Sequence, residues 1–350
     1  MRIIAYYLPQ FHIIEENNLW WGDGFTEWTN VRKARPLFYG HHQPVEPGEL
    51  GYYNLLDSDI RERQAVLAHE AGIEGFCYWH YWFAGKRLLE KPLQQVLKSG
   101  TPDFPFCIGW ANESWMAKTW NKQSEGSNRL LIEQTYPEQD AERHFASILP
   151  ILQDKRYICV NDKPLVVIYR PLDIPSDRYM NIWRSLAKKN GLKGLYCVGH
   201  ALFRDQIDSI LKLGYDAVNY VPLGDIKRSL YLAVRHPVSF LRFMMGYRPL
   251  VYPYHDALSI LTDRCGSRED VIPTLLPRWD HTPRSGKNGF LLYNATAELF
   301  RKQVEEVRTM VSSKPAEKQL VFLKSWNEWG EGNYIEPDKE SGNEFLEQLK

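Results

Sequence analysis

Eight short apolar runs, rich in β-branched and aromatic residues, recur along the 350-residue chain with helix-period sequence between them, and this alternation restricts the fold more than any other feature. The runs are IIAYYL (3–8), IEGFCYWHYW (73–82), FPFCIGW (104–110), PLVVIY (164–169), GLYCVG (194–199), DAVNYV (216–221), VIPTLLPRW (271–279) and QLVFLKSW (319–326). Among the intervening stretches are SDIRERQAVLAHEAG, EQDAERHFASILPILQ, SDRYMNIWRSLAKKNG and ATAELFRKQVEEVRTMV, several opening on Ser or Asp caps and two ending at Gly72 and Gly191. A strand can pair in parallel with the next only after a crossover, normally a helix. Eight such units predict an α/β fold, a single closed (β/α)8 TIM barrel over residues 1–350. Long βα loops are expected after the first, third and sixth strands, the last as an insertion around 222–256.

Charge and composition narrow the partners. Forty-three basic residues balance forty-three acidic ones, so no global field draws the chain to nucleic acid or to an anionic membrane surface. No apolar stretch approaches the roughly 20 residues of a spanning helix, and MRIIAYYLPQFH lacks a cleavage pattern, reading as a first strand and predicting a cytoplasmic protein. The five cysteines form no C-x-x-C pair and are expected as free thiols, and the sequons at Asn112 and Asn294 carry no weight without a secretory signal. SLYLAVRHPVSFLRFMMGYRPLVYPYH (229–255) mixes Arg with Leu, Phe, Met and Tyr. It reads either as a lid packed on the barrel or as an amphipathic patch for a peripheral membrane contact or a lipid-linked substrate.

Chemistry in barrels sits at the carboxyl ends of the strands. There the chain places Tyr7, Gln10 and His12, then His80, Tyr81 and Trp82, then Trp110, Asn112, Glu113 and Trp115. Tyr169, His200, Trp279, Asp280 and Arg284 follow at later strand ends, and SWNEWGEGNYIEPD (325–338) ends the eighth. Rings with amides, carboxylates and Arg among them suit a ligand with flat apolar faces and many hydroxyls, so an oligosaccharide or polysaccharide is the expected substrate. The 13% aromatic content, with 12 Trp and 20 Tyr, fits that use.

Glycoside cleavage needs a proton donor for the leaving oxygen and a second carboxylate at the sugar ring. Glu328 and Glu331 can supply that catalytic pair only if the strand bends, because residues three apart on an extended strand point to opposite faces roughly 10 Å apart. Gly330 and Gly332 permit the bend. Trp326, Asn327 and Trp329 are expected beside the pair, the two indoles lowering the local dielectric so that one carboxyl stays protonated near neutral pH. Glu336 is expected to play a supporting part.

The segments AYYLPQFH, WWGDGFTEWTNV, PLFYGHHQP, GIEGFCYWHYWF, KRLLEKPL, FPFCIGWANESW and SWNEWGEGNYIEPD resemble the WbsX family of bacterial polysaccharide-locus proteins, often labelled glycosyltransferases. That family is in turn similar to glycoside hydrolase family 99, the endo-α-mannosidases and endo-α-mannanases. The likeness to family 99 implies retaining hydrolysis without a protein nucleophile; no metal or cofactor is expected. It matches Glu328 to the base facing the sugar 2-hydroxyl and Glu331 to the acid/base, through a 1,2-anhydro sugar. Where family 99 often has His between Trp329 and Glu331, this chain has Gly330.

Three other readings compete. A glycosyltransferase or transglycosidase in cell-surface polysaccharide synthesis could use the same glutamates; DSD at Asp57–Asp59 matches a nucleotide-sugar D-x-D pattern, yet as the start of a helix it reads as a cap. A metal-dependent hydrolase would draw on His12, His80 and His200, which lack H-x-H or H-E-x-x-H spacing. A non-catalytic carbohydrate-binding protein is the third. Within the hydrolase reading, Glu113 of Asn112–Ser114 is a second candidate for the acid.

Overall fold

The structure, a computed structural model, describes residues 1–117 and 129–350; the long loop expected after the third strand lies partly outside them. Nine short parallel strands follow the expected runs: β1 (Arg2–Tyr7), β2 (Ile73–Phe83), β3 (Phe106–Trp110), β4 (Lys163–Ile168), β5 (Tyr196–Ala201), β6 (Ala217–Tyr220), β7 (Val271–Ile272), β8 (Thr274–Leu275) and β9 (Leu320–Leu323). They pair in sequence from β1 to β7, while β9 lies between β1 and β8. The ring is therefore nearly closed, and its seam is a single residue. Pro273 has no N–H to give to a ladder, so the expected seventh strand divides there. Ile272 aligns with Asn219 on one side and Thr274 with Phe322 on the other. The run from 271 does not continue to 279 as a strand: Trp279–Asp280 pairs antiparallel with Phe290–Tyr293, which also pairs with Leu250–Pro253.

Alternation along each strand separates two packed layers. Inside the barrel Tyr6 stacks between Trp79 (4.6 Å) and Phe322 (4.7 Å). Its hydroxyl donates to Asn219, whose amide donates to the Ile272 carbonyl and Thr274 hydroxyl across the seam. Gly109 leaves room for this layer, since a Cβ there would sit 3.0 Å from the Trp79 ring. Outward-facing Tyr7, Phe76 and Tyr78 pack toward helix Ser58–Glu70, where Gln64 accepts from the Tyr7 hydroxyl at 2.6 Å. That helix is capped by Asp57, whose side chain accepts from the Asp59 amide, so the DSD stretch acts as a cap. The expected helices over 140–152, 176–189 and 297–312 also form, and Gly72 and Gly191 take positive φ just past helix ends.

The insertion after β6 folds into helices Leu230–Arg235 and Pro237–Met244, the strand at 250–253 and helix Tyr254–Leu261. With residues that follow β8 it builds a second core around Leu232, Leu250, Tyr252, Leu276, Trp279 and Leu292.

Candidate active site

The bend required of Glu328 and Glu331 is built by the chain just past β9. Trp326 N–H donates to the Tyr6 carbonyl, the last backbone bond between this segment and β1. Asn327 then turns its amide onto Leu8, accepting from its N–H (2.7 Å) and donating to its carbonyl (3.0 Å). With a side chain in place of the backbone, the ladder ends. A single 3-10 turn follows over Trp329–Glu331, in which Glu331 N–H donates to the Glu328 carbonyl and Gly332 takes φ +56. Both carboxylates now face one cation: Arg284 Nη1 donates to Glu328 Oε1 (2.8 Å) and to Glu331 Oε1 (2.7 Å). The two oxygens can be no farther apart than the sum of those distances.

Arg284 also binds a third carboxylate. Its Nε and Nη2 lie 3.0 and 2.9 Å from Oε1 of Glu27, a buried residue opening helix Glu27–Lys33 in the loop after β1. Glu27 occupies the space into which a side chain at position 330 would project, since a Cβ on Gly330 would lie 1.7 Å from its Oε1. Glu331 further contacts His281 Nε2 (3.3 Å) and Asn333 Nδ2 (3.4 Å), while Lys324 Nζ stands 3.7 Å from Glu328 Oε2.

Burial pushes the Glu331 carboxyl upward, but Arg284 and then His281 outweigh it and hold the group well below the usual carboxylate range. For Glu27 burial wins over Arg284, and its value is raised. Burial would lower the Arg284 value, yet the attraction of Glu27, Glu331 and Glu328 raises it. Glu331 is thus ionised in this state, contrary to the expectation of a carboxyl kept neutral by nearby indoles. Trp326 and Trp329 do not wall the pair: Trp326 is buried against Phe76, and Trp329 stacks on Tyr334 at 3.6 Å. The acid in the apolar setting is Glu336, raised to about 7 by burial although Trp329, Gln64 and Tyr53 all donate to it.

A cavity of about 200 Å³ opens over the pair. Trp79 and Tyr169 lie edge to face in its wall (5.6 Å), and Tyr81, Gln10, Glu113, Trp115, His281 and Lys324 complete its polar and aromatic lining with Arg284, Glu328 and Glu331. A second cavity of about 320 Å³ shares Gln10, Glu113, Trp115 and Arg284 with it and extends past Asn17, Trp21 and Phe25. Of the residues expected from sequence, Gln10, Tyr81, Glu113, Trp115, Tyr169, Arg284, Glu328 and Glu331 therefore come together. Trp79, His281 and Lys324 were not expected, and neither was Glu27.

The remaining expected residues lie outside the lining, each with a structural use. Tyr7 faces the helix layer. His12 is buried with Nδ1 against the Pro9 carbonyl. His80 meets His144 at 2.8 Å, Trp82 donates to Asp140, and Trp110 donates to the Trp82 carbonyl. Asn112 bridges Tyr136 and the Arg170 backbone. His200 packs on Tyr169 and Tyr6. Burial lowers His12 to about 4 and His80 and His200 to about 3, so all three are neutral. Asp280 accepts from Gln43 and pairs with His41, while Trp279 backs the site by stacking on His281 (5.8 Å) and lying under Lys324 (5.7 Å).

A ring of parallel strands with helices outside, and carboxylates with aromatic rings in a cavity at the strand ends, defines a (β/α) barrel with its candidate site where such barrels carry their chemistry. The chain belongs to the family described as Glycosyltransferase WbsX, whose model matches residues 3–349. Two proteins described as Uncharacterized protein WxcX, from Xanthomonas campestris pv. campestris strains B100 and ATCC 33913, are 33% and 34% identical over 99% of this chain. The chain spans about half the length of these curated relatives, 49% in each case. Among solved structures, a glycoside hydrolase-like protein matches with TM-score 0.60 at 18% identity, covering 100% of this chain and 92% of that one. The GH99 endo-alpha-mannosidase from Bacteroides thetaiotaomicron matches with TM-score 0.58 at 13% identity, covering 99% and 95%. These likenesses show a shared fold.

Proposed function

We propose that this chain is a metal-independent retaining glycoside hydrolase, acting on an oligosaccharide or polysaccharide in the cavity over Glu328 and Glu331. The observation that carries the reading is the shared hold of Arg284 Nη1 on both carboxylates, which keeps them on one side of the bent chain in a cavity lined by Trp79, Tyr81 and Tyr169. Ring faces stack on sugar C–H faces, and Gln10, Lys324 and His281 supply hydroxyl partners.

In the first step Glu328 takes the proton of the sugar 2-hydroxyl as that oxygen bonds to the anomeric carbon. The glycosidic bond breaks, and the leaving oxygen receives a proton from Glu331. Water then attacks the anomeric carbon of the 1,2-anhydro sugar, giving its proton to Glu331 while Glu328 returns one to the 2-oxygen. Glu331 must gain a proton before the first step, so substrate entry has to loosen its contact with Arg284. That demand favours a second reading of one residue: Glu113, lining both cavities, as the acid. Comparing Glu331→Gln with Glu113→Gln on an activated and an unactivated glycoside separates the two, since loss of the acid slows the poor leaving group most.

The family's description favours a second overall reading, transfer of a glycosyl group to a sugar acceptor by the same glutamates. Incubation of the purified protein with a panel of bacterial polysaccharides, with and without sugar nucleotides, tests the choice. Sugar release without nucleotide is the expected result; strict nucleotide dependence overturns hydrolysis.

A further inference from the structure

Helices Leu230–Arg235 and Pro237–Met244 in the insertion after β6 bury one face: Leu232 is fully buried, and Phe240 and Phe243 pack on the second core. A helix lying on a protein surface normally turns polar residues outward. Here Leu230, Tyr231, Val234, Val238, Leu241 and Met244, with Met245 and Tyr247 just beyond, are outward and between 56% and 77% exposed. So large a run of exposed apolar side chains marks an interaction surface.

Charge indicates what covers it. From Ile226 to His255 there are five Lys or Arg and no Asp or Glu, in a chain whose formal net charge is zero. Arg235 is held by the neighbouring Asp256 (2.9 Å), which also pairs with His236 and His255, and Arg228 lies over the Phe203 ring (3.7 Å). Arg242 and Arg248 have no ion-pair partner among the described residues, and no helix there is long and apolar enough to cross a membrane. A second copy of the chain would bring the same cations to a two-fold contact, like against like. An anionic lipid surface meets both halves of the pattern, taking Leu, Val and Met into the headgroup and acyl boundary and pairing Arg with phosphate.

We propose that residues 230–248 dock the protein in the interfacial layer of an anionic phospholipid membrane. All barrel strands run parallel, so the insertion leaves β6 at the same end of the barrel as the cavity following β9. Docking therefore brings that end toward the bilayer. The inference does not depend on the sugar chemistry.

The test is co-sedimentation of the full chain with vesicles of phosphatidylglycerol and phosphatidylcholine in equal parts, and with phosphatidylcholine alone. Binding is expected to the anionic vesicles, weakening as salt rises from about 0.1 M to about 0.5 M. Leu241→Asp with Met244→Asp, both exposed and so able to fold, should lower the partition constant on the order of tenfold. Arg242→Glu with Arg248→Glu should remove the preference for anionic lipid. Failure of the unaltered chain to sediment with the anionic vesicles overturns the proposal, as does unchanged binding by the Asp variant. A dimer dissociated by that variant, in a protein that ignores vesicles, would assign the surface to self-association instead.

Discussion

Gly330→Ala is the sharpest probe of the site's construction. Gly330 lies outside the left-handed region, so its backbone accepts alanine, and at such a position the change ordinarily stabilises by about 0.4–1 kcal/mol through the unfolded state. Here the new Cβ would fall 1.7 Å from Glu27 Oε1 and 3.0 Å from Arg284 Nε. A carboxylate at the end of a flexible side chain could swing aside, but Glu27 is buried and its displacement gives up the bonds to Arg284. Hydrogen bonds to charged groups contribute about 1.5–3 kcal/mol, and breaking a buried pair costs about 3–5 kcal/mol. The net loss is therefore set at about 2–4 kcal/mol. With an unfolding entropy of about 2.1 cal/mol/K per residue, that lowers Tm by about 3–5 °C for a chain of this length. Thermal unfolding followed by circular dichroism measures it. Glu27→Ala removes the obstruction while leaving Arg284 with Glu328 and Glu331, so adding Gly330→Ala to that background should cost less than 1 kcal/mol, roughly the scale at which independent substitutions add. If Gly330→Ala leaves Tm unchanged, or costs as much without Glu27 as with it, the steric argument is wrong.

Removing the acid should lower turnover of an unactivated glycoside by about 10²–10⁴-fold and of an activated one far less; the expected carrier is Glu331, and the same split for Glu113→Gln alone would reassign the role. Arg284→Met leaves Glu27, Glu328 and Glu331 without their shared cation, so stability at pH 7 should fall by about 3–5 kcal/mol and recover in part as acid protonates the carboxylates, as pH-dependent denaturant midpoints would show. Glu331 itself, depressed in the fold, contributes stability present above its unfolded value and lost as pH falls through the folded one. Glu336 has the opposite sign: raised to about 7, it makes the fold less stable as pH climbs from about 4.5 to 7, by about 3 kcal/mol at about 1.4 kcal/mol per unit. Tyr53→Phe removes one donor to its carboxylate and should carry that decline to higher pH at the same slope, whereas a decline that ends at lower pH would contradict the assignment.

Periodicity carries through to structure wherever it reflects a repeated backbone geometry, and less well where side chains choose a face. The runs at 73–82 and 319–326 become barrel strands because β-branched and aromatic side chains fit a surface buried on both sides. Along the first, however, His80, Tyr81 and Trp82 cannot share a cavity, since the pleat sends Tyr81 inward with Trp79 and its neighbours out to His144 and Asp140. Counting in twos back from Tyr81 would have found Trp79. Lys324 was legible too, as a lone cation in an otherwise apolar run. Glu27 was not, because its role depends on a contact across more than 250 positions of sequence, visible only when helix Glu27–Lys33 lies against the 3-10 turn at 329–331. That contact recasts the glycine of the WGE segment: Gly332 is there for its φ, whereas Gly330 is there for the carboxylate beside it. At that position this chain brings a glutamate from its first loop, and the cation that neutralises it is the one holding Glu328 and Glu331. Position 27 and position 330 are therefore expected to vary together, an acid at one requiring glycine at the other.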